Sequence, residues 1–151
     1  MATALNMTMR LKQDPETKAK LAGMKAIFAE KIQPHLDQAL RGSQIVHYAR
    51  VLVIDDQYIQ VITEFDGDKQ VYTDFFRQAL PDVFAAIFDL VDGAPSWDEL
   101  NDRDTFYAFA RKQNLKALGQ DPADPTEGYL FAAYNDVTVK EILPKVGVGT
   151  T

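Results

Sequence analysis

One stretch of the chain, IVHYARVLVIDDQYIQVITEFDGD over residues 45–68, sets polar side chains among apolar ones. His47 carries an imidazole that exchanges protons near neutrality, which suits a general base or an oxygen-activating ligand. Arg50, three residues on, offers a planar fork of donors that fits a carboxylate or a phenolate. Tyr48, Gln60 and Glu64 are polar side chains of the same two segments, and Tyr134, far down the chain, is a further candidate for a pocket wall. Every one of these groups also has a structural reading. His47 reads as a half-buried strand histidine bonded to a helix or to backbone. Arg50 reads as the cation of an ion pair, with Glu64 or with a residue of a partner subunit. Asp66 and Gly67 read as a strand-to-helix turn, with glycine for the sharp bend and Asp66 or Asp68 as the helix cap. His35, beside Pro34, suits a helix end at the surface.

Composition removes several classes of chemistry. The chain has 151 residues, enough for one domain spanning 1–151 with a core of its own. It contains no cysteine, which excludes disulfides, thiolate catalysis and cysteine-held zinc or iron–sulfur centres. With His35 and His47 as the only histidines, a two- or three-histidine metal site is not expected. The net charge is −6, and no dense Lys/Arg cluster offers itself to phosphates, so a nucleic-acid partner is not expected. No apolar run is long enough to span a membrane, and the N-terminal MATALNMTMRLK lacks the pattern of a secretory signal. A cytoplasmic location fits these features best.

The elements that must position the polar groups follow from periodicity. Residues 3–11 alternate, with Leu5, Met7, Met9 and Leu11 on one side and Asn6, Thr8 and Arg10 on the other, as in a strand with one apolar face. Asp14 and Pro15 open a helix whose stripe is Leu21, Met24, Phe28 and Ile32, and Pro34 should end or bend it. Strands follow at 44–54 and 58–65. A helix from Lys69 is broken at Pro81-Asp82, resumes, and stops at Gly93. Residues 94–127 read as an inserted helical segment, in which Ser96 and Glu99 have capping-box spacing and Trp97 anchors the segment to the body. Most of the aromatic set, Phe75, Phe76, Phe84, Phe88, Phe106, Tyr107 and Phe109, is core by its helical spacing. Residues 129–135, YLFAAYN, read as a last strand, a partial helix follows over 137–143, and the tail GVGTT is expected to be mobile. The order is α+β and ferredoxin-like, βαββαβ, with a helical insertion before the last strand.

The face taken by Arg50 depends on the hairpin register. A three-residue loop, Asp55-Asp56-Gln57, pairs Ile54 with Tyr58, Arg50 with Ile62 and Tyr48 with Glu64. It gathers Tyr48, Arg50, Gln60 and Glu64, with Val46, Leu52, Ile54 and Ile62, on the helix-free face and sends His47 toward the helices. A two-residue loop instead places His47 opposite Glu64 and presses Arg50 under the helices, which is costly without a partner. It also lacks the glycine such loops favour, so the first register is preferred. A face half apolar and half charged calls for cover, and a second copy of the chain supplies it while reducing exposed strand edges.

VHYARVLVID followed by ITEFDGD and an aromatic helix resembles a group of mostly uncharacterised bacterial proteins of the dimeric α/β-barrel superfamily. That superfamily includes small monooxygenases, haem-degrading enzymes, chlorite dismutases and dye-decolorising peroxidases. The likeness covers about residues 44–76 and makes His47, Arg50, Phe65, Asp66 and Gly67 its signature positions. It implies a homodimer with an apolar cavity for a small molecule and an oxidoreductase-like activity, including oxygenation without a cofactor. The alternative is a non-catalytic dimer whose polar groups set the register. Haem-binding relatives use a histidine late in the chain, and no histidine follows His47, so haem is not expected and no cofactor is required. Ligand contacts would come from Arg50, Tyr48, Glu64, Gln60 and Tyr134, and catalysis from His47 and Arg50.

Overall fold

Alternating apolar side chains give the first strand, β1 (Thr3–Arg10), its buried face of Leu5, Met7 and Met9 in a computed structural model that describes residues 2–134 and 136–147. The other strands are β2 (Val46–Ile54) and β3 (Tyr58–Phe65). Among the described residues the sheet has three antiparallel strands in the order β1-β3-β2. Helices α1 (Pro15–Ile27) and α2 (Gln33–Ser43) precede the hairpin, and α3 (Lys69–Ala79), α4 (Pro81–Asp89), α5 (Trp97–Leu100), α6 (Arg103–Gln113) and α7 (Val139–Lys145) follow it. The protein is α+β, and no helix among the described residues is long and apolar enough to cross a membrane.

The core lies on one face of the sheet. Ile59, Val61 and Phe65 of β3 meet Leu5, Met7 and Met9 of β1 beneath Tyr72 and Phe76 of α3, Phe84, Ile87 and Phe88 of α4, and Phe106 and Phe109 of α6. Tyr72 stacks on Phe65 at 3.8 Å between centroids and shares a 2.5 Å hydrogen bond with Thr63. Burial pushes the Tyr72 phenol above its ordinary range; the bond to Thr63 opposes this and the nearby charge of Glu64 adds to it. Within the 94–127 segment Trp97 meets Phe106 edge-on at 6.2 Å and the Ser96 hydroxyl accepts from the Glu99 N–H; Phe106 in turn packs on Phe84 and Phe88 of α4.

Pro34 does not end its helix. A π-helical turn over Phe28–Ile32 joins α1 to α2, with the Gln33 N–H bonded to Phe28 O, one residue wider than an α-helical bond. Proline has no N–H to donate, and the widened turn just before it lets the helical path continue.

The hairpin takes the three-residue loop. Ile54 pairs with Tyr58, Arg50 with Ile62 and Tyr48 with Glu64. Asp55 and Asp56 sit at φ 51° and 53°, a conformation that aspartate tolerates, and the Gln57 N–H closes the turn on Ile54 O at 2.9 Å. Thr8 pairs with Gln60 and Asn6 with Ile62, so β1 adds its polar side to the same face. One assignment changes. A β-bulge between Val46 and Tyr48 pairs Val46 with Phe65, which turns Val46 to the helix side, where it packs against the core.

The expected fourth strand is also absent among the described residues. Residues 129–134 have no strand structure, and Asn135 lies outside the described set, as does the tail beyond Gly147. The outer edge of β1 is occupied at Asn6 and Arg10. Lys12 N–H bonds to Leu90 O, Asp92 N–H to Arg10 O, and Leu115 N–H to Asn6 O, while the Asn114 side chain accepts from Asn6 N–H at 2.6 Å. With those backbone groups satisfied, YLFAAY has no ladder to join.

Candidate functional site

The segment that does not become a strand becomes a strap. Its first residue, Tyr129, donates its N–H to Leu118 O at 3.3 Å, and beyond its far end Val139 N–H reaches the Asp66 carboxylate at 2.8 Å. Between those anchors its described residues face one end of the helix-free side of the sheet and border an open groove of about 590 Å³. His47, Tyr48, Arg50, Glu64 and Tyr134 all line it, together with Tyr129, Phe131 and Asp136. Five of the six residues that the sequence nominated therefore meet in one place. Gln60 does not; its amide donates to the Thr8 hydroxyl at 3.1 Å farther along the sheet.

His47 reaches the groove because of the bulge. In a regular strand, residues three apart point to opposite faces, so His47 would lie under the helices while Arg50 faced away from them. The extra residue between Val46 and Tyr48 breaks that alternation, and His47 borders the groove with Arg50. The expectation that His47 sits with Val51 and Val61 on the helix side is thus corrected.

Asp66 is the residue that sequence reasoning undervalued. Cap duty falls to Asp68, which accepts from the N–H groups of Gln70 and Val71 at the start of α3. Gly67 makes the bend at φ 100°, where a side chain would be strained. Asp66 is left to hold His47: its Oδ1 lies 2.8 Å from His47 Nε2, and its Oδ2 accepts from Val139. Both side chains are largely buried, at 9% and 14% exposure. A signal was present, since two carboxylates flank Gly67 and only the one directly before Lys69 occupies the cap position.

Charge is unevenly compensated. Among the described residues the side chains of Arg50 and Glu64 make no hydrogen bond and no ion pair, so the Arg50–Glu64 pairing of the structural reading does not form within one chain. Tyr48 is 72% exposed and Phe131 85%, and Tyr134 is exposed as well, an aromatic surface with little covering it. Arg50, on the edge strand, also borders a smaller apolar cavity of about 180 Å³ on the helix side, between α2 and α4. The larger groove is the one that gathers polar and ionisable groups.

Among the described residues no group of three or more His, Asp or Glu side chains is placed to hold a metal ion. The groove has a single imidazole, and its Nε2 is held by Asp66. The groove's chemistry is therefore that of an oriented imidazole, an unpaired guanidinium and aromatic walls. Scans against family models, curated proteins and solved structures find no match to this chain, so the functional reading rests on this geometry.

Proposed function

We propose that the protein is a small-molecule-binding homodimer of the dimeric α/β-barrel type, whose ligand lies in the groove between the sheet and the strap. The observation that carries the reading is Arg50, a cation without a partner among the described residues, beside exposed aromatic side chains in a groove of about 590 Å³. That volume lies within the about 300–1,000 Å³ of small-molecule sites, and an apolar lining with a few directed polar groups is their usual make-up. The ligand has an apolar, planar body for Tyr48, Phe131 and Tyr134, and one oxygen for Arg50.

The dimer reading draws on the remainder of the same face. Leu52 and Ile54 are 39% and 40% exposed there, beside Ile62, and a second copy would cover them. The order β1-β3-β2 is the one these three strands take in a ferredoxin-like unit, with the 114–115 and 91–92 contacts where a fourth strand would lie. An oxidoreductase-like reaction, in which a bound ligand itself reacts with dioxygen, would use the same groove. The second reading is a non-catalytic dimer, favoured by the breadth of the exposed apolar face.

2-Naphthol, a fluorescent apolar phenol, is the probe. It is expected to bind the folded protein at one site per protomer. Arg50→Gln is expected to weaken binding about tenfold, the loss of one hydrogen bond to a charged group. Absence of binding, or equal binding by both proteins, would remove the groove as the site.

A further inference from the structure

We infer that the groove's ligand carries an ionisable hydroxyl, a phenol or an enol, that His47 takes its proton at Nδ1, and that Arg50 holds the oxyanion so formed. This rests on the groove being the ligand site and goes beyond it in assigning a reaction step and a positioning residue, Asp66.

The proton inventory fixes the tautomer. Asp66 Oδ2 accepts from the Val139 N–H, and Oδ1 lies 2.8 Å from His47 Nε2. An ionised carboxylate only accepts, so the neutral imidazole carries its hydrogen on Nε2 and keeps its lone pair on Nδ1. Nδ1 has no partner among the described residues, and no unpartnered side-chain nitrogen or oxygen is buried among them. The free nitrogen is therefore open to a ligand. An imidazole held on one side by a carboxylate and open on the other is the arrangement of a general base.

The bulge is the second, independent observation. It brings His47 and Arg50 to one groove although their spacing would otherwise part them. A base and a cation that border one space favour loss of a proton from a bound oxygen, because the base accepts it and the cation stabilises the charge left behind. The step is balanced. The O–H bond breaks, an N–H bond forms at Nδ1, the imidazolium stays against Asp66, and the oxyanion stays beside Arg50.

The lining selects the hydroxyl. A carboxylic acid arrives already ionised near neutrality and gives His47 no proton. A hydroxyl enters uncharged and gains its charge only next to Arg50. The other groups facing His47 are Tyr48 on β2, Glu64 on β3, and Tyr134 and Asp136 on the strap, and Glu141 at the start of α7 lies within electrostatic reach of Asp66.

The test uses 4-nitrophenol, whose ionised form absorbs in the visible, and its methyl ether 4-nitroanisole, which has no proton to lose. At a pH just below the free probe's ionisation, binding of 4-nitrophenol is expected to raise its ionised fraction. His47→Gln is expected to bind both probes and to lower the ratio of ionised to neutral bound 4-nitrophenol about tenfold, one pKa unit. Asp66→Asn is expected to do the same, because its amide turns a donor toward Nε2 and moves the imidazole hydrogen onto Nδ1. Circular dichroism verifies that both variants are folded. If 4-nitroanisole binds but 4-nitrophenol stays protonated, or if His47→Gln ionises it as well as the parent does, the base assignment is wrong and the groove stands. If neither probe binds, both readings fail.

Discussion

Asp66→Ala is expected to lower the unfolding free energy by about 2–4 kcal/mol, as the removal of two hydrogen bonds to a largely buried carboxylate implies. The change leaves His47 Nε2 and the Val139 N–H without their acceptor at once. It also cuts the tie between the end of the sheet and the start of α7, so the strap should become the first site of proteolytic cleavage. Asp66→Asn retains an acceptor for Val139 and is expected to cost about half as much. Urea unfolding followed by circular dichroism measures the loss, and mass mapping of early proteolytic fragments locates the loosened segment. A loss under about 0.5 kcal/mol for Asp66→Ala, the range of an ordinary surface substitution, would mean that the carboxylate positions neither His47 nor the strap.

The second large effect concerns assembly. If two copies cover each other's helix-free faces, the double variant Leu52→Glu, Ile54→Glu buries four carboxylates across a two-fold interface, more than the two Arg50 side chains there can pair. Each buried unpaired charge costs several kcal/mol, so the dimer constant is expected to weaken more than about a thousandfold, equivalent to about 4 kcal/mol. Both side chains are already exposed within one chain and project from the edge strand away from the core, so the monomer should keep its fold. Sedimentation equilibrium reads the outcome: a parent of twice the chain mass and a variant of single mass. A parent that is monomeric at high concentration would dismiss the dimer, and a variant that stays dimeric would place the interface elsewhere.

The hairpin register was legible in the sequence because two independent costs agreed. A two-residue loop would have buried Arg50 among apolar side chains and lacked a glycine, and the structure pairs Arg50 with Ile62 instead. The core was legible for a similar reason, since helical spacing of aromatics leaves few ways to bury them together. The bulge at His47 was not, because no glycine or proline marks it and its effect is simply to cancel an alternation that the sequence keeps. The fate of residues 129–134 was not legible either. Their pattern suits a strand, but whether a strand forms depends on an open edge, and distant residues, Leu90 to Asp92 and Asn114 to Leu115, reach that edge first. Local pattern gives a segment its preference, and competition for backbone partners decides the outcome. That competition also created the groove, since a strap rather than a strand now faces Tyr48, Arg50 and Glu64.

Ligand is expected to bind on the helix-free side, in reach of Arg50 and His47. Amide and side-chain NMR shifts of labelled protein titrated with 2-naphthol test it residue by residue. The largest changes are expected on His47, Tyr48, Arg50, Glu64 and the strap, with Phe28, Leu36 and Val83 around the helix-side cavity nearly fixed. The reverse distribution, with shifts centred on Leu36 and Val83 while His47 and the strap stay still, would contradict it.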